Sequence, residues 1–344
     1  MRRYRTLDGL RGMGALVVMA YHFYCFKVFP GAFFTKGYLA VDLFFVLSGV
    51  VLAEAYTARL SQGLTTSNFL KIRFIRLYPY YFISLVGSLA MTLIYLCFFK
   101  INSVHWTPGG FIGSLIFAVF MLPSPFMARL FPFVDQAWSL FYELLVNFFW
   151  VGTRSWLKSA GLGMTAIFAA AGLIYLGHST SLDGGGSWLQ IDMGIFRVLY
   201  SFSVGLLIHD MDKSRIPKLN PWVILLAAFC VMGAIPPPSL SPLFDLAAVL
   251  LVLPCCVLFA TVVEPPQGMQ SGFLDFIGDS SYGIYMIHFE VAMLIHWVLN
   301  KFGFSPSFLI AAVAMFAVVM AAHWLNSVWD KPARAWLSRI GSRG

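Results

Sequence analysis

The sequence predicts an all-α, polytopic membrane bundle of about ten transmembrane helices, and three observations predict it. Of 344 residues, 59% are hydrophobic and 11% charged, with a mean hydropathy of +0.79, outside the range of a water-soluble domain of this length. Apolar runs of about 20 residues, the length that crosses a bilayer core, recur along the chain. The basic residues fall in clusters between those runs.

Eleven apolar segments are candidates, at 7–28, 37–57, 77–99, 111–122, 136–152, 160–177, 191–208, 221–236, 243–263, 277–299 and 307–327. The first is read as a retained span: Arg2, Arg3 and Arg5 precede it, Arg11 lies inside it, and no small-residue cleavage site follows. The clusters Arg2/Arg3/Arg5, Arg59/Lys71/Arg73/Arg76, Arg154/Lys158, Lys213/Arg215/Lys218 and Lys331/Arg334/Arg339/Arg343 then test the count. If all eleven segments cross, three clusters fall on the wrong side of the membrane. If 111–122 does not cross, every cluster is cytoplasmic, and "HSTSLDGGGSW" and "PPPSLSPLFD" lie outside. Ten spans with both termini cytoplasmic is therefore expected, with 111–122 a re-entrant or surface segment. Pro-rich stretches such as "IPPPSLSP" and "VVEPPQG" mark the joints. One membrane domain, 1–330, is expected, followed by a basic cytoplasmic tail, 331–344.

The 34 Phe, 14 Tyr and 10 Trp suit lipid-facing surfaces and interfacial belts. A net charge of +8 distributed in this way marks topology and not nucleic-acid binding. The five cysteines lie in apolar segments without metal-ligand spacing, so they are read as small apolar fillers and no metal is expected.

Charges in hydrocarbon need a partner or a task. Those within the spans are Arg11, His22, Asp42, Glu54, Glu143, Arg197, His288, Glu290 and His296. Arg11 and His22 are eleven residues apart, three helical turns plus about 20°, so they share a face at depths about 16 Å apart. By depth, Asp42 and Glu143 are expected in the same outer layer as His22, where Asp42 would orient the imidazole and raise its basicity. Singly, His22 could be a packing contact and Arg11 a snorkelling side chain; together the four are better read as a site. Arg73 and Arg76, three apart before Pro79, present two guanidinium groups side by side, suited either to phosphate or to a topogenic role. Asp279, Ser280 and Ser281 can cap the tenth candidate segment, 277–299; His288 lies near its middle. Arg197 has no evident local partner except Asp192.

"LDGLRGMGALVVMAYH" (7–22), "VDLFFVLSG" (41–49), "RFIRLYP" (73–79), "WSLFYE" (138–143) and "SSYGIYMIH" (280–288) together resemble the acyltransferase family 3 membrane proteins, over about residues 3–330. The resemblance implies a fold of about ten helices, an acyl-CoA donor, acetyl-CoA by default, taken from the cytoplasm, and a carbohydrate or glycan hydroxyl as acceptor. It implies His22 as the catalytic histidine with Arg11 also essential, and Arg73 and Arg76 at the donor's phosphates, with Lys71 and Arg11 beside them. Asp42 and Glu143 join the expected catalytic set, and Trp138, Tyr142 and His288 the expected substrate contacts. A bacterial inner membrane is the expected location. Two departures stand out: the family's frequent second acid after "WSLxxE" is Leu144 here, and no SGNH-type domain follows the last span, so a reaction needing one would need a separate partner. The rival class is a transporter or flippase using the buried Arg, His and Asp as a proton or anion relay, although no inverted repeat is visible.

Overall fold

A computed structural model describes residues 4–32, 34–99 and 107–340. The chain is 77% helical, and among the described residues there is no strand. The helices are α1 (Arg5–Cys25), α2 (Ala40–Ser61), α3 (Thr66–Phe99), α4 (Pro108–Val119), α5 (Ala137–Thr153), α6 (Ser159–Gly177) and α7 (Ile191–Asp210). After them come α8 (Pro221–Gly233), α9 (Ser241–Ala247), α10 (Leu253–Ala260), α11 (Met269–Phe302), α12 (Phe308–Leu325) and α13 (Lys331–Ile340). Seven helical stretches, built on α2, α3, α6, α7, α9 with α10, α11, and α12 with α13, are long and apolar enough to cross a membrane. The other expected spans are α1, which carries Arg5, Asp8 and Arg11, and the shorter α5 and α8, of 17 and 13 residues.

The segment expected not to cross is α4, whose 12 residues rise only about 18 Å. Its last carbonyls, on Ala118 and Val119, accept from the Tyr81 and Tyr78 hydroxyls of α3 at 2.6 and 2.9 Å, which satisfies two of the carbonyls a helix end leaves open. The chain then doubles back. Ser124 pairs with Ser114 of α4, and Leu130 reaches Gly186.

The span expected over 243–263 is helical but interrupted. A π-turn at Ala248–Val252 joins α9 to α10, and Pro254 lies just beyond it. Proline has no N–H for the carbonyl four residues back, that of Leu250, and the Tyr200 hydroxyl of α7 takes its place at 2.6 Å. A second π-turn, Asn326–Asp330, carries α12 into α13, so the basic tail is helical through Ile340.

Two helix pairs form the centre, and glycines set both. Helices α1 and α11 run parallel with Gly9 against Leu274 and Gly12 against Ile277, while Gly278 faces Asp8; a Cβ on Gly12 would lie 2.6 Å from the Ile277 side chain. Helices α2 and α7 also run parallel, touching at Gly49 and Gly205, where a Cβ on Gly205 would lie 2.3 Å from the Val46 carbonyl oxygen. Small residues allow this approach where burial from water is not available as a driving force.

Contacts at the helix ends bring the basic clusters to one face of the bundle. Arg5 meets Glu264 and Asp275, Arg154 reaches the Leu60 carbonyl, His209 lies beside Glu54, and Asn326 bonds the Asp279 carbonyl. This is the amino-terminal face. Arg2, Arg3 and Arg343, counted in the same clusters, lie outside the described residues.

Candidate active site

His22 on α1 and His288 on α11 meet across the first glycine-set pair. His288 Nε2 lies 2.9 Å from His22 Nδ1, His22 Nδ1 lies 3.0 Å from the Val18 carbonyl, and His288 Nδ1 lies 2.9 Å from the Ile284 carbonyl. Carbonyl oxygens only accept, so both Nδ1 atoms carry the proton in the tautomers this network assigns. His22 Nδ1–H is then shared between Val18 and the His288 Nε2 lone pair, and His22 Nε2 is left as an unprotonated base. His288 is fully buried and His22 is half-buried.

Toward the amino-terminal face from this pair lies a cavity of about 200 Å³, lined there by Arg11, Arg73 and Arg76. Every motif stretch named above reaches it: Arg11 from α1, Ser48 from α2, Arg73 and Arg76 from α3, Glu143 from α5, and Tyr285 from α11. Their helical spacing explains this, since Ser281, Tyr285 and His288 lie at i, i+4 and i+7 on one face of α11. Arg11 donates to Asp8 (2.7 Å), Ser281 (3.1 Å) and the Gly278 carbonyl (3.2 Å), so it clamps α1 onto α11 while a third of its side chain stays exposed. Arg73 pairs with Glu143 at 2.5 Å, and its buried Nε has no partner. Arg76 has no acidic partner among the described residues and is exposed at the cavity rim. Lys71 is exposed and does not line the cavity, because a two-residue offset turns it about 160° away from Arg73.

The cavity ends toward His22 at Phe44 and Tyr285, whose rings are edge-to-face at 5.6 Å. Phe44 rests against Gly14 of α1, between the turns carrying Arg11 and His22, and Tyr285 lies 5.9 Å from the His288 ring.

Two of the expected neighbours of His22 are elsewhere. Asp42 forms an ion pair with Arg197 of α7: Nε lies 3.1 and 3.2 Å from its two oxygens and Nη2 lies 2.6 Å from Oδ2, with both side chains essentially inaccessible. The Gly49–Gly205 contact two turns away sets this register, and the expected Asp42–His22 dyad is not formed. Two further Arg197 donors go to the carbonyls of Tyr38 (3.0 Å) and Gly184 (2.8 Å), so Arg197 is paired with Asp42 and not with Asp192. Glu143 lies deeper than expected, because α5 starts inside the bundle: Gln136, one residue before it, is buried and bonds Glu290 and the Met286 carbonyl. Glu143 therefore takes hydrogen bonds from Ser48 and Arg73 in the cavity and does not reach His22.

Of the expected substrate contacts, only His288 touches His22. Trp138 packs against Gly185 and Gly186 beneath the Arg197 guanidinium, 5.4 Å from its ring. Tyr142 is buried and donates to the Gly185 and Ile191 carbonyls. These two aromatics, at i and i+4 on α5, hold the 181–194 segment and do not line the cavity.

That segment is fixed from another side too. Lys36 and Asp245 form a buried ion pair at 2.5 Å, and Asp245 accepts from Tyr38, Ser181 and the Leu182 amide. A desolvated pair of this kind is tolerated only when its remaining lone pairs are met. Sequence does not single out Lys36, Tyr38, Asp245 or Asp183, because the partners of Asp245 lie 63–209 positions away and Asp183 meets Tyr21 across 162. Among the described residues no group of three His, Cys, Asp or Glu side chains is arranged to hold a metal ion.

The sequence profile of the acyltransferase domain, acyltransferase family 3, matches residues 4–327. Acyltransferase MdmB of Streptomyces mycarofaciens is 25% identical, the alignment covering 98% of this chain and 93% of the relative. Protein 2 in the picA locus of Rhizobium radiobacter is 38% identical over 46% of this chain and 88% of the relative. Peptidoglycan O-acetyltransferase OatA of Listeria monocytogenes is 24% identical over 86% of this chain but only 50% of the relative. No solved structure matches the chain.

Proposed function

The chain belongs to acyltransferase family 3 and is an integral membrane O-acyltransferase, and from that premise we propose that it moves an acyl group, acetyl by default, from cytoplasmic acyl-CoA to a carbohydrate or glycan hydroxyl. The observation that carries this reading is the convergence of five distant motif stretches on one cavity rimmed by Arg11, Arg73 and Arg76, with His22 beyond its inner end. In this reading the amino-terminal face is cytoplasmic, in accord with its basic clusters, and the membrane is a bacterial inner membrane.

Three guanidinium groups at one mouth suit the adenosine phosphate and pyrophosphate of acyl-CoA, since arginine binds phosphate as a planar fork. Arg73 has a donor to spare, and a phosphate would compete with Glu143 for the others. The pantetheine arm then runs inward along α1, over the roughly 16 Å that separate Arg11 from His22. The Phe44 and Tyr285 rings must turn aside to let the thioester pass. At His22, Nε2 takes the acceptor's hydroxyl proton as its oxygen attacks the thioester carbonyl. The C–S bond then breaks, the departing thiolate takes that proton from His22, and the acyl group is left as an ester on the acceptor oxygen. His288 and the Val18 carbonyl hold the ring and its tautomer through this cycle, the part the sequence reading gave to Asp42.

The test is a steady-state assay of thiol release from acetyl-CoA by purified protein in lipid nanodiscs. Arg73→Ala with Arg76→Ala should raise the donor KM by on the order of ten-fold or more while changing kcat little, since two charge-assisted phosphate contacts are lost. An unchanged donor KM would return both arginines to topology alone.

A further inference from the structure

The reaction above needs an acceptor site, and the loop above His22 supplies residues for one. Residues 182–186 are pinned almost one by one. The Leu182 amide donates to Asp245, the Gly184 carbonyl accepts from Arg197, the Gly185 carbonyl accepts from Tyr142, and the Gly186 carbonyl accepts from the Leu130 amide. Two buried ion pairs, Lys36–Asp245 and Arg197–Asp42, are thus spent on holding one short surface segment. Between the pinned residues stands Asp183, exposed, its carboxylate bonded to the Tyr21 hydroxyl and its amide to Ser181. No cation pairs with Asp183 among the described residues. Tyr21 is the residue before His22, and its ring lies edge-to-face on the imidazole at 5.1 Å.

On its other side His22 meets Phe289 at 5.2 Å, and Phe26 lies against Phe289 at 5.0 Å. All three rings are partly exposed. The catalytic imidazole therefore stands between a rigidly presented carboxylate with a phenol and an aromatic wall. A carboxylate that only accepts, with one oxygen held by the Tyr21 phenol and the other facing outward, fits the proton of a hydroxyl next to the one being acylated, and the wall fits the apolar face of a ring.

We propose that Asp183, with Tyr21, is the acceptor-binding residue of this enzyme, taking a hydrogen bond from a second hydroxyl vicinal to the reacting one and so selecting ring-bearing polyols over simple alcohols. The proposal rests on His22 acting as base in transfer from an acyl-CoA. It needs no chemistry beyond that step, because Asp183 exchanges no proton with the acceptor.

The experiment compares cyclohexane-1,2-diol with cyclohexanol as acceptors from acetyl-CoA, scoring ester formed and thiol released by wild-type and Asp183→Asn protein in nanodiscs. Wild-type protein should favour the diol by about ten-fold or more in kcat/KM, the worth of one hydrogen bond to a charged acceptor. Asp183→Asn should bring the two alcohols within about three-fold while leaving the donor KM unchanged. Tyr21→Phe, which keeps the ring against His22 and removes the phenol, should lie between them. Asp183→Asn with the diol preference intact overturns the proposal. So does an equal loss of transfer to both alcohols together with hydrolysis, the mark of a loop anchor. Absence of thiol release by wild-type protein would instead overturn the acyl-CoA reading on which the proposal stands.

Discussion

Replacing Asp42 by Asn separates two accounts of that residue. The Arg197 side chain is fully buried and Asp42 is 1% exposed, so the substitution leaves a guanidinium in the bundle interior with its Nε and part of Nη2 facing a neutral amide. Removing one partner of a buried ion pair costs about 3–5 kcal/mol, a large share of the roughly 5–15 kcal/mol by which folded domains exceed their unfolded state. A melting temperature lower by on the order of 5–10 °C should follow, read by thermal unfolding in detergent. Because Arg197 also holds the Gly184 carbonyl, the 181–186 loop should exchange its amide hydrogens faster in the variant. Asp42→Glu, which keeps the charge, should recover part of the loss. The reasoning fails if Asp42→Asn melts with the wild type and its loop is equally protected while acyl transfer is lost. That outcome would give Asp42 the role beside His22 that its depth suggested.

Two further outcomes follow from packing and topology. Gly205→Val places a branched side chain where even a Cβ would lie 2.3 Å from the Val46 carbonyl, so α2 and α7 must part and no monodisperse protein should be recovered by size exclusion. Gly163→Ala, where a Cβ meets nothing within 4 Å, is the tolerated control. Single cysteines placed across 178–188 should react with an impermeant maleimide on intact cells, and those across 209–218 only after permeabilisation; the reverse pattern would invert the proposed orientation.

Much of the bundle was legible in the chain, and the reasons for success and failure are physical. Apolar length located the helices, and the segment that the basic clusters set apart, 111–122, is the short helix α4. The phase of a helix is also local, so the shared face of Arg11 and His22 was visible. Depth was harder. It was counted as if each helix began at the membrane surface, whereas α5 begins beside the buried Gln136, so Glu143 sits about 10 Å below that start in the cavity. Which way a residue faces around the bundle was not legible at all, since it depends on which helices touch. Asp42 faces α7 because Gly49 and Gly205 bring those backbones together, and His288 faces His22 because Gly12 and Gly278 do the same for α1 and α11. Those glycines are the signal that pairing arguments could have used. The Lys36–Asp245 pair, 209 positions apart, left no signal in local sequence.

The central claim is that His22 Nε2, oriented by Val18 and His288, is the base of acyl transfer. The direct measurement is the rate of ester formation from acetyl-CoA by purified His22→Ala protein, alongside its melting temperature. The account predicts a fold that melts with the wild type and transfer reduced by about 10²–10⁴-fold, the usual contribution of a positioned base. A folded His22→Ala protein that transfers acetyl at the wild-type rate would contradict it.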